Sequence, residues 1–390
     1  MPFRQIIRLI CSTVSCLNFS CRQSYSMYHV LYRNVKLVEE NQKPVFRSEN
    51  IFSEKFSKEL TSRLKQNGHV YVLDLKGAES IAYHLTKDWN GYILEANPGP
   101  GILTKAILKM SSCHLRVFEK NEEFLTPLEA MSSEHSNLEV VKEDFMFLPA
   151  IEARTDCEES ENLFKDIPIC SWSNGISFRF FCIISSKKSV RFFRYLLAVL
   201  PERTSIFRYG RCEFFLLLTE TEYRYIKAGP KENFATYRWS TVLYNLFFDI
   251  FCLQEIPSES LFPVPTSQKK NKTQNTSSFY FVKLVPKPDL FPSDNNPNKL
   301  PDLYYFVRHH LAKRTALVIP TLETWIPFCG PRLIKEGMNV FTKFGDLSPK
   351  QILMLFNQFS SWPEYEDSTF HAALQRYRSN NPFNDEDKDK

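Results

Sequence analysis

The run Glu95-Ala96-Asn97-Pro98-Gly99-Pro100-Gly101-Ile102-Leu103-Thr104 constrains this chain more than any other stretch, because it reads as a strand delivering into a glycine loop and then a helix. Tyr92-Ile93-Leu94 is the strand, and Glu95 falls at its carboxyl end, the edge at which open α/β sheets hold ligands. Gly99 and Gly101 have no Cβ, so the backbone there can turn tightly and come close to a bound molecule. Ile102, Leu103, Ala106, Ile107 and Met110 recur at helical spacing and would pack that helix on a sheet. A glycine loop alone also serves as a plain tight turn, so its meaning depends on the segments downstream.

Those segments alternate repeatedly between strand and helix patterns. Residues 115–118 read as a second strand ending at Glu119, 122–131 as a helix, and 138–141 as a third strand followed by Asp144. Residues 178–184 form the fourth strand, 190–200 a helix and 212–218 the fifth strand, with 249–254 and 279–284 completing the sheet. Upstream, 51–65 reads as a helix, 71–73 as a short strand and 74–85 as another helix. Alternation of this kind predicts an α/β fold with a parallel sheet and helices on both faces, here spanning 29–285. The acidic segment 151–172 breaks the rhythm and reads as a surface insertion, and 267–277 as a polar, lysine-containing loop. Prolines 286, 288, 292, 297 and 301 mark a linker over 286–301. Beyond it, 303–311, 322–328 and 349–359 read as helices of a small carboxyl-terminal domain over 302–376, the last with Ser348 as cap and Pro349 in its first turn. The charged end, 377–390, reads as a disordered tail.

Composition narrows the partners. A formal charge of +5 over 390 residues suits an anionic partner, and no apolar run reaches the roughly 18 residues of a membrane span. The ten cysteines include no Cys-x-x-Cys pair and no histidine at zinc-ligand spacing, so no metal site is expected. No membrane partner is expected, and the chain is expected to be a monomer. The first 38 residues hold Arg4, Arg8, Arg22, Arg33 and Lys36 and no acidic residue before Glu39. That arginine-rich, serine-containing, acid-poor pattern predicts a mitochondrial transit peptide over 1–28 and a matrix location.

Three carboxylates now stand at the carboxyl ends of the first three strands. Glu119 can accept from both hydroxyls of a ribose, and Asp144 can accept from an adenine amino group. No third glycine follows Gly101, which argues against a pyrophosphate site and for an adenosine-shaped pocket of the kind S-adenosylmethionine enzymes use.

With these residues in view, the chain resembles the KsgA-type rRNA adenine dimethyltransferase family, whose first motif reads Glu-x-Gly-x-Gly-x-Gly-x-Leu-Thr. Within it the resemblance is to the mitochondrial transcription factor B branch and its transcription-dedicated second paralogue. Ala228-Gly229-Pro230, Tyr237-Arg238, Leu261-Phe262-Pro263-Val264-Pro265 and Ser278-Phe279-Tyr280-Phe281-Val282-Lys283-Leu284 resemble family landmarks in the same order, so the likeness covers about residues 66–360. It implies a Rossmann-like S-adenosylmethionine methyltransferase fold with a small carboxyl-terminal helical domain. It also implies that Glu95, Gly99 and Gly101 line the methionine side of the cofactor, Glu119 the ribose and Asp144 the adenine. Val70 and Val72 take the place of the family's Asn-Phe-Leu segment, which also touches cofactor.

The chain departs from the family at the fourth strand. Active members end it with Asn-Leu-Pro-Tyr, where the amide and the proline carbonyl hold the target amine and the ring stacks on the flipped base. Here stand Ile183-Ile184-Ser185-Ser186, which offer none of these groups. Positioning is most of what such an enzyme contributes, so methyl transfer is expected to be weak or lost. Basic residues nearby and downstream, Lys187, Lys188, Arg191, Arg194, Arg208, Arg211, Arg308, Lys313 and Arg314, are candidates for contacting nucleic acid, interleaved with rings that can stack on bases. The resemblance implies an initiation factor that binds the mitochondrial RNA polymerase and holds melted, single-stranded promoter DNA. The alternative is a dimethyltransferase acting on adjacent adenosines of small-subunit mitochondrial rRNA.

Overall fold

Apolar strands alternating with amphipathic helices bury both faces of a sheet between helical layers, and that arrangement organises the computed structural model, which describes residues 62, 64, 69–152, 163–173, 175–230, 234–263, 278–291 and 299–379. The expected transit peptide over 1–28, nearly all of the helix over 51–65 and the loop over 267–277 lie outside the described residues. The first described strand, β1 (Tyr71–Val72), stands apart from the main sheet in an antiparallel pair with residues 261–262. Asp74 then caps helix α1 (Leu75–Thr86), its Oδ2 accepting from the Gly77 N–H at 2.7 Å.

The main sheet is built by β2 (Tyr92–Ala96), α2 (Ile102–Met110), β3 (His114–Phe118), α3 (Glu122–Glu134), β4 (Leu138–Val141), the short α4 (Leu148–Glu152) and β5 (Ile176–Ile184). It continues with α5 (Lys187–Val199), β6 (Arg211–Thr219), α6 (Glu220–Lys227), α7 (Trp239–Phe247), β7 (Phe248–Pro257), the short β8 (Leu261–Phe262) that pairs with β1, and β9 (Ser278–Pro286). Strand order is β4-β3-β2-β5-β6-β9-β7, parallel from β4 to β6, with β9 antiparallel to both its neighbours. The order reverses between β2 and β5, which opens a crevice at their carboxyl ends.

Strand alternation feeds two cores. Phe178, Phe180, Cys182 and Ile184 of β5 face one layer, and Phe181 faces the other with Leu115, Val117, Phe215 and Phe281. Three ion pairs link neighbouring strands: Arg116 meets Glu139 at 2.6 Å, and Glu213 meets Arg179 at 2.7 Å and Lys283 at 2.5 Å. Arg179 also donates to the Leu85 and Lys87 carbonyls at 2.8 and 2.9 Å, so a buried guanidinium closes the end of α1.

Four expectations change. Helices α6 and α7 were not foreseen. In the acidic segment 151–172, Leu163, Phe164, Ile167 and Trp172 belong to the core, because their apolar area outweighs the acidic composition around them. The linker is partly docked: Trp172 Nε1 donates to the Lys287 carbonyl at 3.0 Å, and Phe291 meets the Trp172 ring edge-on at 4.6 Å. Residues 377–379, assigned to a disordered tail, are helical, with Arg378 paired to Asp302 at 2.9 Å and Tyr377 accepting from Arg308 at 2.8 Å.

The carboxyl-terminal helices are α8 (Leu300–Ala312), α9 (Val318–Glu323), α10 (Gly330–Lys335), α11 (Pro349–Phe359) and α12 (Thr369–Ser379). In place of the helix expected over 322–328 stands Val318–Glu323, with 324–328 in turns; Pro320 fits its first turn, where the missing N–H is not needed. These helices do not close a core of their own. Phe306, Phe344, Phe356, Phe359 and Phe370 join the same buried cluster as Phe214, Val242 and Tyr244, and the Tyr237 hydroxyl donates to the Leu347 carbonyl at 2.7 Å. Among the described residues no helix is long and apolar enough to cross a membrane. Because Phe306 is fully buried among the rings of Phe344, Phe356, Phe359 and Phe370, Phe306→Ala should lower unfolding stability by about 3 to 5 kcal/mol. Urea unfolding followed by far-ultraviolet circular dichroism and by tryptophan fluorescence should show coincident single transitions in both proteins, since the core is shared.

Candidate nucleoside pocket and basic groove

At the switch point lies a pocket of about 490 Å³ lined by Leu64, His69, Tyr71, Asn97, Glu119, Lys120, Asn121, Asp144, Phe147 and Lys188. The glycine loop shapes its floor. Gly99 and Gly101 have φ of +60° and +77°, in the left-handed region, and a Cβ on Gly99 would lie 2.3 Å from the Tyr71 ring. Glu119 binds the loop: its Oε2 accepts from the Gly99 N–H at 3.1 Å and its Oε1 from the Asn121 N–H at 2.8 Å. With the Lys120 backbone also donating to it, the carboxylate keeps acceptor capacity for a ribose hydroxyl, so the residues fit a nucleoside there. Asp144, also buried, accepts from the Met146 N–H at 3.0 Å and pairs with Lys188 Nζ at 2.9 Å.

The other residues expected at the cofactor lie behind the pocket. Strand alternation turns Val70 and Val72 into the core, and of this segment it is Tyr71 that lines the pocket. Glu95 is 1% exposed beneath the loop, where its Oε2 accepts from the Thr104 hydroxyl at 2.8 Å. Burial pushes Glu95 up to about 8, the Thr104 hydrogen bond opposing. Glu119 is likewise pushed up by burial to about 7, against the pull of its backbone donors. Burial also holds His69 below its ordinary range, with Lys188 adding to the effect and Asp144 resisting it.

The degenerate acceptor edge borders a second cavity, a groove of about 460 Å³. Ile184 is fully buried and Ile183 packs against the opposite layer. Ser186 caps α5, accepting from the Ser189 N–H at 3.2 Å, while the Ser185 and Ser186 N–H groups donate to the Ser189 hydroxyl at 3.0 and 2.9 Å. The motif therefore spends its polar groups on a helix cap. Around it stand Lys187, Arg191, Arg194 and Arg308, with the rings of Trp239 and Tyr304 and the half-buried Glu222. Burial raises Glu222, and Arg194 draws it back down.

Of the nine basic candidates, four thus converge on the groove. Lys188 belongs to the nucleoside pocket, held by Asp144 and by the Phe147 ring at 3.8 Å. Arg211 is half-buried, its Nε donating to the Trp172 carbonyl at 2.9 Å. Arg314 donates to the Tyr237 carbonyl at 2.8 Å, and to that of Phe234. Interior acceptors thus claim these three. Arg208 and Lys313 are exposed and line neither cavity. Trp239 and Tyr304 went unforeseen because they come from α7 and α8, remote in sequence from the motif they flank. Asn121 could have been found, since an asparagine just before Glu122 and Glu123 is a helix cap. Among the described residues there is no cluster of three or more histidine, cysteine or acidic side chains able to hold a metal.

A sheet of this order, with a nucleoside-sized pocket holding Glu119 and Asp144 at its switch point, defines a Rossmann-like methyltransferase fold. Two solved structures share it: the 23S rRNA methyltransferase ErmE, with a TM-score of 0.50, 16% identity, 75% of this chain and 100% of that one covered; and a dimethyladenosine transferase from Plasmodium falciparum, with 0.50, 15%, 73% and 95%. The profile of the ribosomal RNA adenine dimethylase family matches residues 58–360. Mitochondrial dimethyladenosine transferase 2 of Drosophila melanogaster is 27% identical over 370 residues, covering 81% of each chain. The same-named protein of Mus musculus is 30% identical over 281 residues, 68% of this chain and 70% of its own. The chain belongs to the ribosomal RNA adenine dimethylase family, of the KsgA type.

The raised carboxyls set a pH dependence. A folded-state value above the unfolded one means that the folded chain holds the extra proton, so the stabilisation is complete below the ordinary carboxylate range and is lost as pH rises through about 7 and 8. Urea titrations should show stability falling from about pH 5 to about pH 8.5, each group contributing a slope of at most about 1.4 kcal/mol per pH unit. Glu95→Gln, which keeps an acceptor for Thr104, should flatten its share of that slope.

Proposed function

We propose that this protein is a mitochondrial transcription initiation factor, a dimethyladenosine transferase scaffold that holds melted promoter DNA for the mitochondrial RNA polymerase. The observation that carries the reading is the rebuilt acceptor edge. Where the family grips an adenine amine, this chain has a serine cap tied to its own helix, opening onto a groove lined by Lys187, Arg191, Arg194, Arg308, Trp239 and Tyr304. Cations meet phosphates, and an aromatic ring can stack on an unpaired base for about 1 to 3 kcal/mol, comparable with the roughly 1.4 kcal/mol that separating one base-pair step costs. Support for the mitochondrial setting comes from the relatives, which are named mitochondrial, and the polymerase is the partner that the family resemblance implies.

The pocket supports a second reading, because Glu119 and the glycine loop still offer a ribose site. Tyr71, Glu119 and Asp144 would hold S-adenosylmethionine, which supplies an electrophilic methyl group when bound. Lys187, Arg191 and Arg308 would hold the backbone of a small-subunit rRNA hairpin. With no amide or ring at Ile183 to Ser186 to fix the amine, this chain would orient its acceptor poorly.

Run-off transcription with the polymerase separates the two. Promoter-dependent transcripts should persist in Glu119→Gln and Asp144→Asn, and should be lost in the Arg191→Ala, Arg194→Ala, Arg308→Ala triple variant. For single-stranded DNA, that triple variant should also reduce the slope of log affinity against log salt by about 2, at about 0.7 per phosphate contact. Methyl transfer to the rRNA hairpin by the wild type, with transcription abolished by Glu119→Gln, would overturn the proposal.

A further inference from the structure

Lys187 and Lys188 are consecutive in the first turn of α5, yet they line different cavities, the first the basic groove and the second the nucleoside pocket. The Lys188 ammonium lies 2.9 Å from Asp144 Oδ2 and 3.8 Å from the centre of the Phe147 ring, and its side chain is 35% exposed. The Asp144 side chain is 3% exposed, and its Oδ1 already accepts from the Met146 N–H at 3.0 Å. Both carboxylate oxygens at the base-recognition end therefore have a donor from the protein.

We infer that Lys188 is a specificity-determining residue of the nucleoside pocket: it occupies the acceptor that a 6-amino purine needs and presents N–H donors in its place. The inference rests on the nucleoside reading of the pocket. An ammonium carries three donors, of which Asp144 engages one. A purine with an amino group at position 6 brings a donor against the ammonium that stands 2.9 Å from Asp144 Oδ2, and must share the carboxylate with the lysine or push it aside. A purine with a carbonyl there can accept from the ammonium while the ion pair stays intact. The flexible, partly exposed lysine stem allows displacement, so adenosine ligands are weakened rather than excluded. A site whose hydrogen-bonding sense is reversed discriminates strongly, because a mismatched ligand leaves buried polar groups unpaired.

The test is isothermal titration of the full chain with S-adenosylhomocysteine and with its 6-oxo counterpart, S-inosylhomocysteine. The proteins are the wild type, Lys188→Met, Asp144→Asn and the double variant, each checked for folding by circular dichroism. Lys188→Met should tighten the adenosine compound by about tenfold or more and weaken the inosine compound, shifting their ratio by well over tenfold. In the Asp144→Asn background the same lysine replacement should bring no such shift, because the charge that holds the ammonium is gone. A ratio unchanged by Lys188→Met, with both compounds bound by the wild type, overturns this inference and leaves the nucleoside reading standing. Binding of neither compound by any of the four proteins overturns the nucleoside reading and this inference together.

Discussion

The hydrogen bond from the Gly99 N–H to Glu119 is the contact on which the pocket depends. It fastens the loop after β2 to the end of β3, beside the point where the parallel order reverses. The loop can take that course only because Gly99 and Gly101 adopt left-handed backbone angles, and Tyr71 closes over Gly99 where any side chain would collide with it. A side strand of two residues thereby becomes part of the cleft, although it is not part of the main sheet. The same enclosure strips water from Glu119 and Glu95 and raises both carboxyls.

At the edge after β5, where the family places the side chains that meet a base, this chain has two packed isoleucines and two serines engaged with Ser189. Charge has gathered around this edge from three separate helices: Arg191 and Arg194 from α5, Glu222 from α6, and Arg308 from α8.

Much of this was legible in the residues themselves. The strand, loop and helix around Gly99, the carboxylates at Glu119 and Asp144 and the helix starting at Pro349 follow from local pattern, because spacing and capping act over a few residues. Val70 and Val72 face the core while Tyr71 lines the pocket, a difference of one step in the strand alternation that decides which face a side chain meets. The fates of Lys188, Arg211 and Arg314 were invisible, since their partners at Asp144, Trp172 and Tyr237 are set by tertiary packing. The carboxyl-terminal helices read as a separate domain because their sequence after a proline-rich stretch carries no sign of which apolar face they would cover.

That common packing between the sheet and the last helices bears on how the groove can work. Its walls come from α5, α7 and α8, and behind them Phe193, Val242, Leu243 and Phe306 are embedded in one continuous apolar mass. Jaws that swing need a seam to pivot on, and here the seam is filled with interlocking rings. On the proposed reading, a strand laid in the groove would meet a mould of fixed width, and the shape change that accompanies docking would fall on the nucleic acid.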